Sequence, residues 1–317
     1  MKDSFESAIF QEIFSSPFLI FYFAMDQNTW TFFEDEDNVF TNITPPKKEH
    51  PHLFERTYLR DVLNILRKWP SFRDYNYYLL DARRNHEFSF DDRSIVFYLS
   101  NENHIVPQNL DDARWVFTTY YPSGPVNGKI LSIPLGVNGS VPQYKIKPFH
   151  ERETDVFFIG NLNKRRLNFF VFATLFKWRN AINGLFGRKK LNLYIRFTRR
   201  FGSGLTPEAY GRMLANTKIA LTPQGYDSDI SFRFFEAARA GCILISYKQP
   251  GVWHFKPFPG YYVKSWHRLG RIIRGLLKNP HKADRVQKEM IDYYHAYCSE
   301  QSTADYIRNI LENHSQS

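Results

Sequence analysis

Residues 218–246, KIALTPQGYDSDISFRFFEAARAGCILIS, constrain this chain more than any other stretch. They read as an apolar strand, a turn holding Pro223 and Gly225, a helix opening at Ser231, a glycine stop at Gly241 and a second buried strand. Two apolar strands joined through one short helix make a βαβ unit, which buries itself in a largely parallel α/β layer.

The same alternation runs through the rest of the chain. In the first half, strands are expected at 18–23, 75–80, 95–99, 115–118 and 130–133, with a helix over about 53–69. In the second half, the apolar run 155–159 leads to a loop at 160–163 and a helix over about 164–178. A strand follows at 191–197, then a helix to Ala215 that Thr206 caps ahead of Pro207. Amphipathic helices are expected at 265–278 and 282–311, the latter broken near 298–303. The polar stretch 143–153 reads as a linker. The predicted organisation is a first domain over 1–145, a second over 154–298, and a closing helix within 299–317 that packs back toward the first.

Composition permits this. The chain has 317 residues, 43% of them hydrophobic and 17% aromatic, enough to bury two cores. A net charge of +10 suits phosphate-bearing ligands, an anionic membrane surface or nucleic acid, and does not choose among them. Cys242 and Cys298 stand far apart, offering neither a disulfide framework nor zinc spacing, which points to a reducing compartment. The longest apolar run, 18–24, is too short to cross a bilayer and has no basic flank or cleavage site. A cytoplasmic protein is therefore expected, at most peripheral on the inner face of the membrane.

In an open α/β sheet, ligands bind beyond the carboxyl ends of the strands, where helix N-termini present backbone N–H groups. Ser231 and Arg233 open such a helix, and Glu236 lies in its second turn. An arginine there can pair with a diphosphate, a serine can donate a hydroxyl, and a carboxylate can accept from a ribose diol. The bland reading is an ordinary helix whose Arg233 and Glu236 form a surface pair.

Ser231-x-Arg233-x-x-Glu236-Ala237, followed by Ala240-Gly241-Cys242-Ile243-Leu244-Ile245 and preceded by Leu221-Thr222-Pro223-Gln224-Gly225, resembles the donor-site signature of exostosin-like (family 47-like) glycosyltransferases of the GT-B fold. The resemblance covers roughly 155–298. It implies an α/β protein of two Rossmann-like domains facing across a cleft. It also implies transfer of a sugar from a nucleotide-sugar donor, a UDP-sugar first, to a glycan or lipid-linked glycan acceptor in surface polysaccharide or lipopolysaccharide synthesis. By the same resemblance Glu236 holds the ribose, and Ser231 and Arg233 hold the phosphates or the sugar. Gly160 with Arg165 or Arg166 meets the diphosphate, and Gln224, Gly225 and Tyr226 complete the donor site. The family needs no bound metal ion, since basic groups and helix dipoles stabilise the leaving diphosphate, so neither a metal site nor a cofactor is expected; the nucleotide-sugar is a substrate.

An inverting reaction needs a base from the first domain. Asp26, Glu102 and His104 are the candidates, with Asp81 a further one. The acidic triplets 35–37 and 227–229 have the spacing of a metal-binding Asp-x-Asp, and solvation or pocket-shaping explains them equally. The basic run 187–190, with Arg196, Arg199 and Arg200, either draws anionic donors, leans on an anionic leaflet or is a solvated patch. Two other classes stay open: a nucleic-acid-binding protein, for which no motif is present and which is not expected, and a non-catalytic relative acting as a scaffold.

Overall fold

The computed structural model describes residues 42–43, 55–82, 89–122, 128–199, 204–226 and 228–313, with side chains from Glu55 onward except Arg56. The strand expected at 18–23, the candidate Asp26 and the triplet 35–37 lie outside them. So does Asp227.

Two five-stranded sheets form, and every pairing in both is parallel. The first runs in chain order: β1 (Asn42–Ile43), β2 (Asn76–Asp81), β3 (Ser94–Leu99), β4 (Trp115–Thr118) and β5 (Ile130–Ser132). The second has β6 (Thr154–Asn161), β7 (Leu193–Thr198), β8 (Thr217–Thr222), β9 (Ile243–Tyr247) and β10 (Tyr261–Val263), in the spatial order β10-β9-β8-β6-β7. The expected α/β class is what the chain adopts. Parallel sheets are covered on both faces, which is why β3 is a continuous buried run rather than an alternating one. The period of two still sorts the side chains. Tyr77, Leu79, Ile95 and Phe97 join the large core shared with the second sheet, whereas Tyr78, Leu80, Val96 and Tyr98 form a separate cluster on the other face.

Seven helices follow in the described chain: α1 (Glu55–Leu66), α2 (Leu167–Leu185), α3 (Pro207–Ala215), α4 (Phe232–Arg239), α5 (Leu269–Leu277), α6 (Pro280–Tyr297) and α7 (Glu300–Asn313). α1 buries Tyr58, Leu59, Val62, Leu63 and Leu66, one face at helical spacing. Thr206 caps α3 through its hydroxyl, which accepts from the Ala209 N–H at 3.3 Å. α4 ends as its glycine demands: Gly241 takes φ +67°, its N–H reaches Ala238 O and the Cys242 N–H reaches Ala237 O, both at 2.9 Å.

Some local expectations change. Gly160 and Asn161 are the last residues of β6 rather than loop, because both pair with β7. β1 and β10 are not among the expected strands; their two and three residues carry too little pattern to stand out. The stretch 143–153, which joins the two sheet units, is held by Arg152, buried and donating to Lys147 O, Thr217 O and Ala240 O.

The two sheet units touch at several points. α7 lies on α1, where the Tyr58 hydroxyl and Thr303 Oγ1 are 2.6 Å apart. Trp253, beyond the carboxyl end of β9, donates its indole N–H to Ser132 O at the carboxyl end of β5.

Candidate functional site

The strand order of the second sheet reverses between β6 and β8, since β7 follows β6 on one side and β8 lies on the other. Such a switch point opens a crevice beyond the carboxyl ends of the two strands. Arg166 bridges it. Its guanidinium donates to Asn161 O (2.8 Å) and Asn161 Oδ1 (2.7 Å) at the end of β6, and to Gln224 O (2.6 Å) just past β8. Asn163 sets this up locally, because its side chain caps the following turn by accepting from the Arg166 N–H at 3.1 Å.

Arg233 arrives from the first turn of α4 and donates Nε to Ile159 O at 2.7 Å. It lies against Gly160 so closely that a Cβ there would sit 2.9 Å from Nη2. Among the described residues, no carboxylate forms an ion pair with Arg166 or Arg233. Burial first, and the Arg233 charge second, press the Arg166 pKa down. Two neighbouring cations held by carbonyls, one of them 2% exposed, lower their energy by taking up an anion.

Arg165 behaves differently from its neighbour. It pairs with Asp229 at 2.7 Å while about a third exposed, and Asp229 also accepts from the Gln224 side chain at 2.8 Å. The carboxylate of the second acidic triplet is thus engaged in ordering the turn. That turn is tight: a Cβ on Gly225 would fall 2.3 Å from Ile230 O. Tyr226 projects outward from it, exposed. Ser231 is buried at the N-cap of α4, but its hydroxyl does not cap the helix.

Glu236 is buried one turn further on. It accepts from the Tyr210 hydroxyl at 2.9 Å and from the Asn138 N–H, the latter reaching over from the segment that follows β5. Burial raises its pKa, while the Tyr210 bond and the Arg233 and Arg239 charges oppose the rise. Arg239 in turn donates to Val141 O, so α4 is held against the first unit. The structure therefore brings Gly160, Arg166, Gln224, Gly225, Ser231, Arg233 and Glu236 to one edge of the second sheet.

The first sheet presents its own carboxyl edge. Glu102 and His104 follow β3 as expected; His104 has φ +60° and its Nδ1 lies 2.6 Å from Tyr121 O. Sequence reasoning passed over Glu55, at the start of α1. It is 3% exposed and accepts from Ser100 Oγ (2.9 Å), the Ser100 N–H (3.3 Å) and Thr119 Oγ1 (2.9 Å). Burial pushes its pKa up to about 7, against those three bonds, and Asp81 adds a smaller push. Beside it, the fully buried Asn101 has neither amide atom hydrogen-bonded.

A family model described as glycosyl transferase-like matches residues 152–312, just over half of the chain. No curated protein matches it. Among solved structures the chain is similar to the GtfA/B complex, at 12% identity and a TM-score of 0.45 over 70% of this chain and 53% of that one, about half its length. It is similar to Anabaena Alr3699/HepE in complex with UDP and glucose, at 11% identity and 0.44 over 80% and 81%. It is also similar to a glycosyltransferase from Rickettsia africae ESF-5, at 10% and 0.45 over 85% and 83%.

Proposed function

The chain belongs to a glycosyl transferase-like family, and we propose that it moves a sugar from a nucleotide-sugar donor, a UDP-sugar first, to a glycan or lipid-linked glycan. The observation that carries this reading is the pair Arg166 and Arg233, fixed by backbone carbonyls at the switch point between β6 and β8; among the described residues no carboxylate makes a direct ion pair with either, and the Glu236 carboxyl acts on Arg233 only from a distance. A diphosphate supplies the missing charge. Glu236, one turn along α4, takes the ribose hydroxyls, and Gln224, Gly225 and Ser231 line the approach. For Glu236 and Arg233 these are the roles that the exostosin-like resemblance implies.

In the reaction the acceptor hydroxyl oxygen bonds to C1 of the donor sugar. The bond from C1 to the β-phosphate oxygen breaks, and the electron pair leaves with the nucleoside diphosphate. Arg166 and Arg233 stabilise the negative charge that grows there, so no metal ion is required in this reading. The hydroxyl proton goes to a carboxylate or imidazole of the first unit. Glu55 joins Glu102 and His104 for that role, because a carboxyl that titrates near neutrality is matched to general-base work. We assign the product to a surface polysaccharide or lipopolysaccharide; the basic run at 188–190 supports this by suiting a phosphate-linked acceptor.

Calorimetry with UDP-, GDP- and CMP-linked sugars tests the proposal. Binding of one class is expected, together with its loss in Glu236→Ala, whose fold survives although stranding the buried Tyr210 hydroxyl lowers its melting temperature. Equal binding by that variant would remove the assignment of Glu236. Binding without turnover toward any acceptor would make the chain a non-catalytic relative.

A further inference from the structure

We propose that α2 is a membrane-docking element, which lays its outer face on an anionic phospholipid surface. Leu167, Val171, Leu175, Trp178 and Leu185 recur at spacings of three, four and seven, so they share one stripe of the helix, and Phe186 continues it. That stripe points away from the core, since Phe169, Ala173, Phe176 and Asn180 occupy the buried face. Its exposure is large: 66% for Trp178, 85% for Leu185 and 76% for Phe186. Scattered apolar residues on a surface need no explanation, but a contiguous stripe on one helix marks an interaction site.

Charge decides what covers it. From residue 156 to residue 207 the sequence holds no aspartate or glutamate, while lysine and arginine recur throughout. Lys177, whose ammonium donates to Ile195 O, and Arg179 flank the stripe on either side, and the exposed Arg188, Lys189 and Lys190 follow Phe186 after Gly187. On the flank of α2 toward α5, Arg179, Lys189, Arg274 and Lys278 border a cavity of about 380 Å³, where the carboxylate of Asp155 is paired with Lys218. An apolar stripe whose rim carries a large excess of cations complements acyl chains beneath anionic headgroups, with Trp178 placed at the boundary. Among the described residues no helix is long and apolar enough to cross a membrane, so the contact is one that lies in the interface.

Phosphatidylcholine vesicles with and without phosphatidylglycerol, sedimented with the full chain, test this. The protein is expected to pellet with the anionic vesicles only, with a blue shift of tryptophan emission that Trp178→Phe reduces. Replacing Arg188, Lys189 and Lys190 by glutamine should weaken partitioning about fivefold per charge. The pair Leu185→Asn and Phe186→Asn should weaken it at least tenfold, with melting temperature and donor binding unchanged because both side chains are exposed. Failure to bind anionic vesicles overturns the proposal. So does unchanged partitioning of the asparagine pair, which would leave a contact made by charge alone. Concentration-dependent self-association that the same pair abolishes, without vesicle binding, would hand the stripe to a second copy of the chain.

Discussion

Gly160 and Arg233 share one space at the edge of the second sheet: the glycine is the only residue type there that leaves the guanidinium where Ile159 O holds it. A Cβ at 160 would stand 2.9 Å from Nη2 and 3.0 Å from Cζ of Arg233. Gly160→Ala is therefore expected to displace the guanidinium by a few tenths of an ångström. Donor binding should weaken by about tenfold, the effect of losing one charge-assisted bond. The melting temperature should move little, since the far end of a side chain can yield. Titration calorimetry beside a thermal melt separates the two; a normal affinity would show that Arg233 does not hold the donor.

Arg166 carries structure as well as charge. Arg166→Met strands the carbonyls of Asn161 and Gln224 and the side chain of Asn161, and each unsatisfied buried group costs about 1–3 kcal/mol. A fall in denaturation midpoint is expected along with lost donor binding. Arg166→Lys should recover part of the stability and little of the binding, because one ammonium cannot reach three acceptors across the switch point.

Glu236 depends on Tyr210, whose hydroxyl donates to it at 2.9 Å. Tyr210→Phe removes that bond from a buried carboxylate and should raise the Glu236 pKa further. Donor affinity should then fall off toward acid at a higher pH than in the parent. A pH series of binding constants reads this, and superimposed profiles would separate the two residues.

Glu55 makes stability depend on pH in a stated direction. Its pKa rises on folding from the ordinary 4.5 to about 7, so the folded chain binds the proton more tightly than the unfolded one. Its contribution is fully present below pH 4.5 and disappears as pH climbs through 7. Glu55→Gln, which never ionises, should melt above the parent at pH 8 and close to it at pH 5. If Glu55 accepts the acceptor proton, the same variant loses turnover while keeping donor affinity. A melting difference that does not change with pH would contradict the buried carboxyl.

Tyr58 ties α1 to α7 through Thr303 and the Cys298 carbonyl at 2.9 Å, and Gly136 packs on its ring. Tyr58→Phe should cost about 1 kcal/mol. Gly136→Ala should cost far more, because φ is +75° and a Cβ would come within 2.1 Å of the Tyr58 ring. Chemical denaturation of both variants measures the ranking, and a harmless Gly136→Ala would deny the contact.

Local pattern reached a long way into this protein. Continuous apolar runs gave away β3, β4, β6 and β8, Thr206 marked the start of α3, and Gly241 marked the end of α4, since each signal sits within a few residues of what it controls. The placement of Ser231, Arg233 and Glu236 on one short helix was legible for the same reason, since the start of that helix is written beside them. Glu55 was not. In ERTYLRD it has the look of a solvated helix face, and its burial comes from Ser100 and Thr119, which stand 45 and 64 residues away.

The chain by itself settled the α/β class and the periodicity of its elements, because these follow from nearest-neighbour sterics and side-chain chemistry. Only the tertiary structure buried Arg166 among carbonyls while pairing Arg165 with Asp229, drove Glu55 into the interior and left the outer stripe of α2 bare. Each of those depends on which distant carbonyl, hydroxyl or apolar surface arrives beside a side chain, and desolvation and pairing are properties of that meeting rather than of the residue.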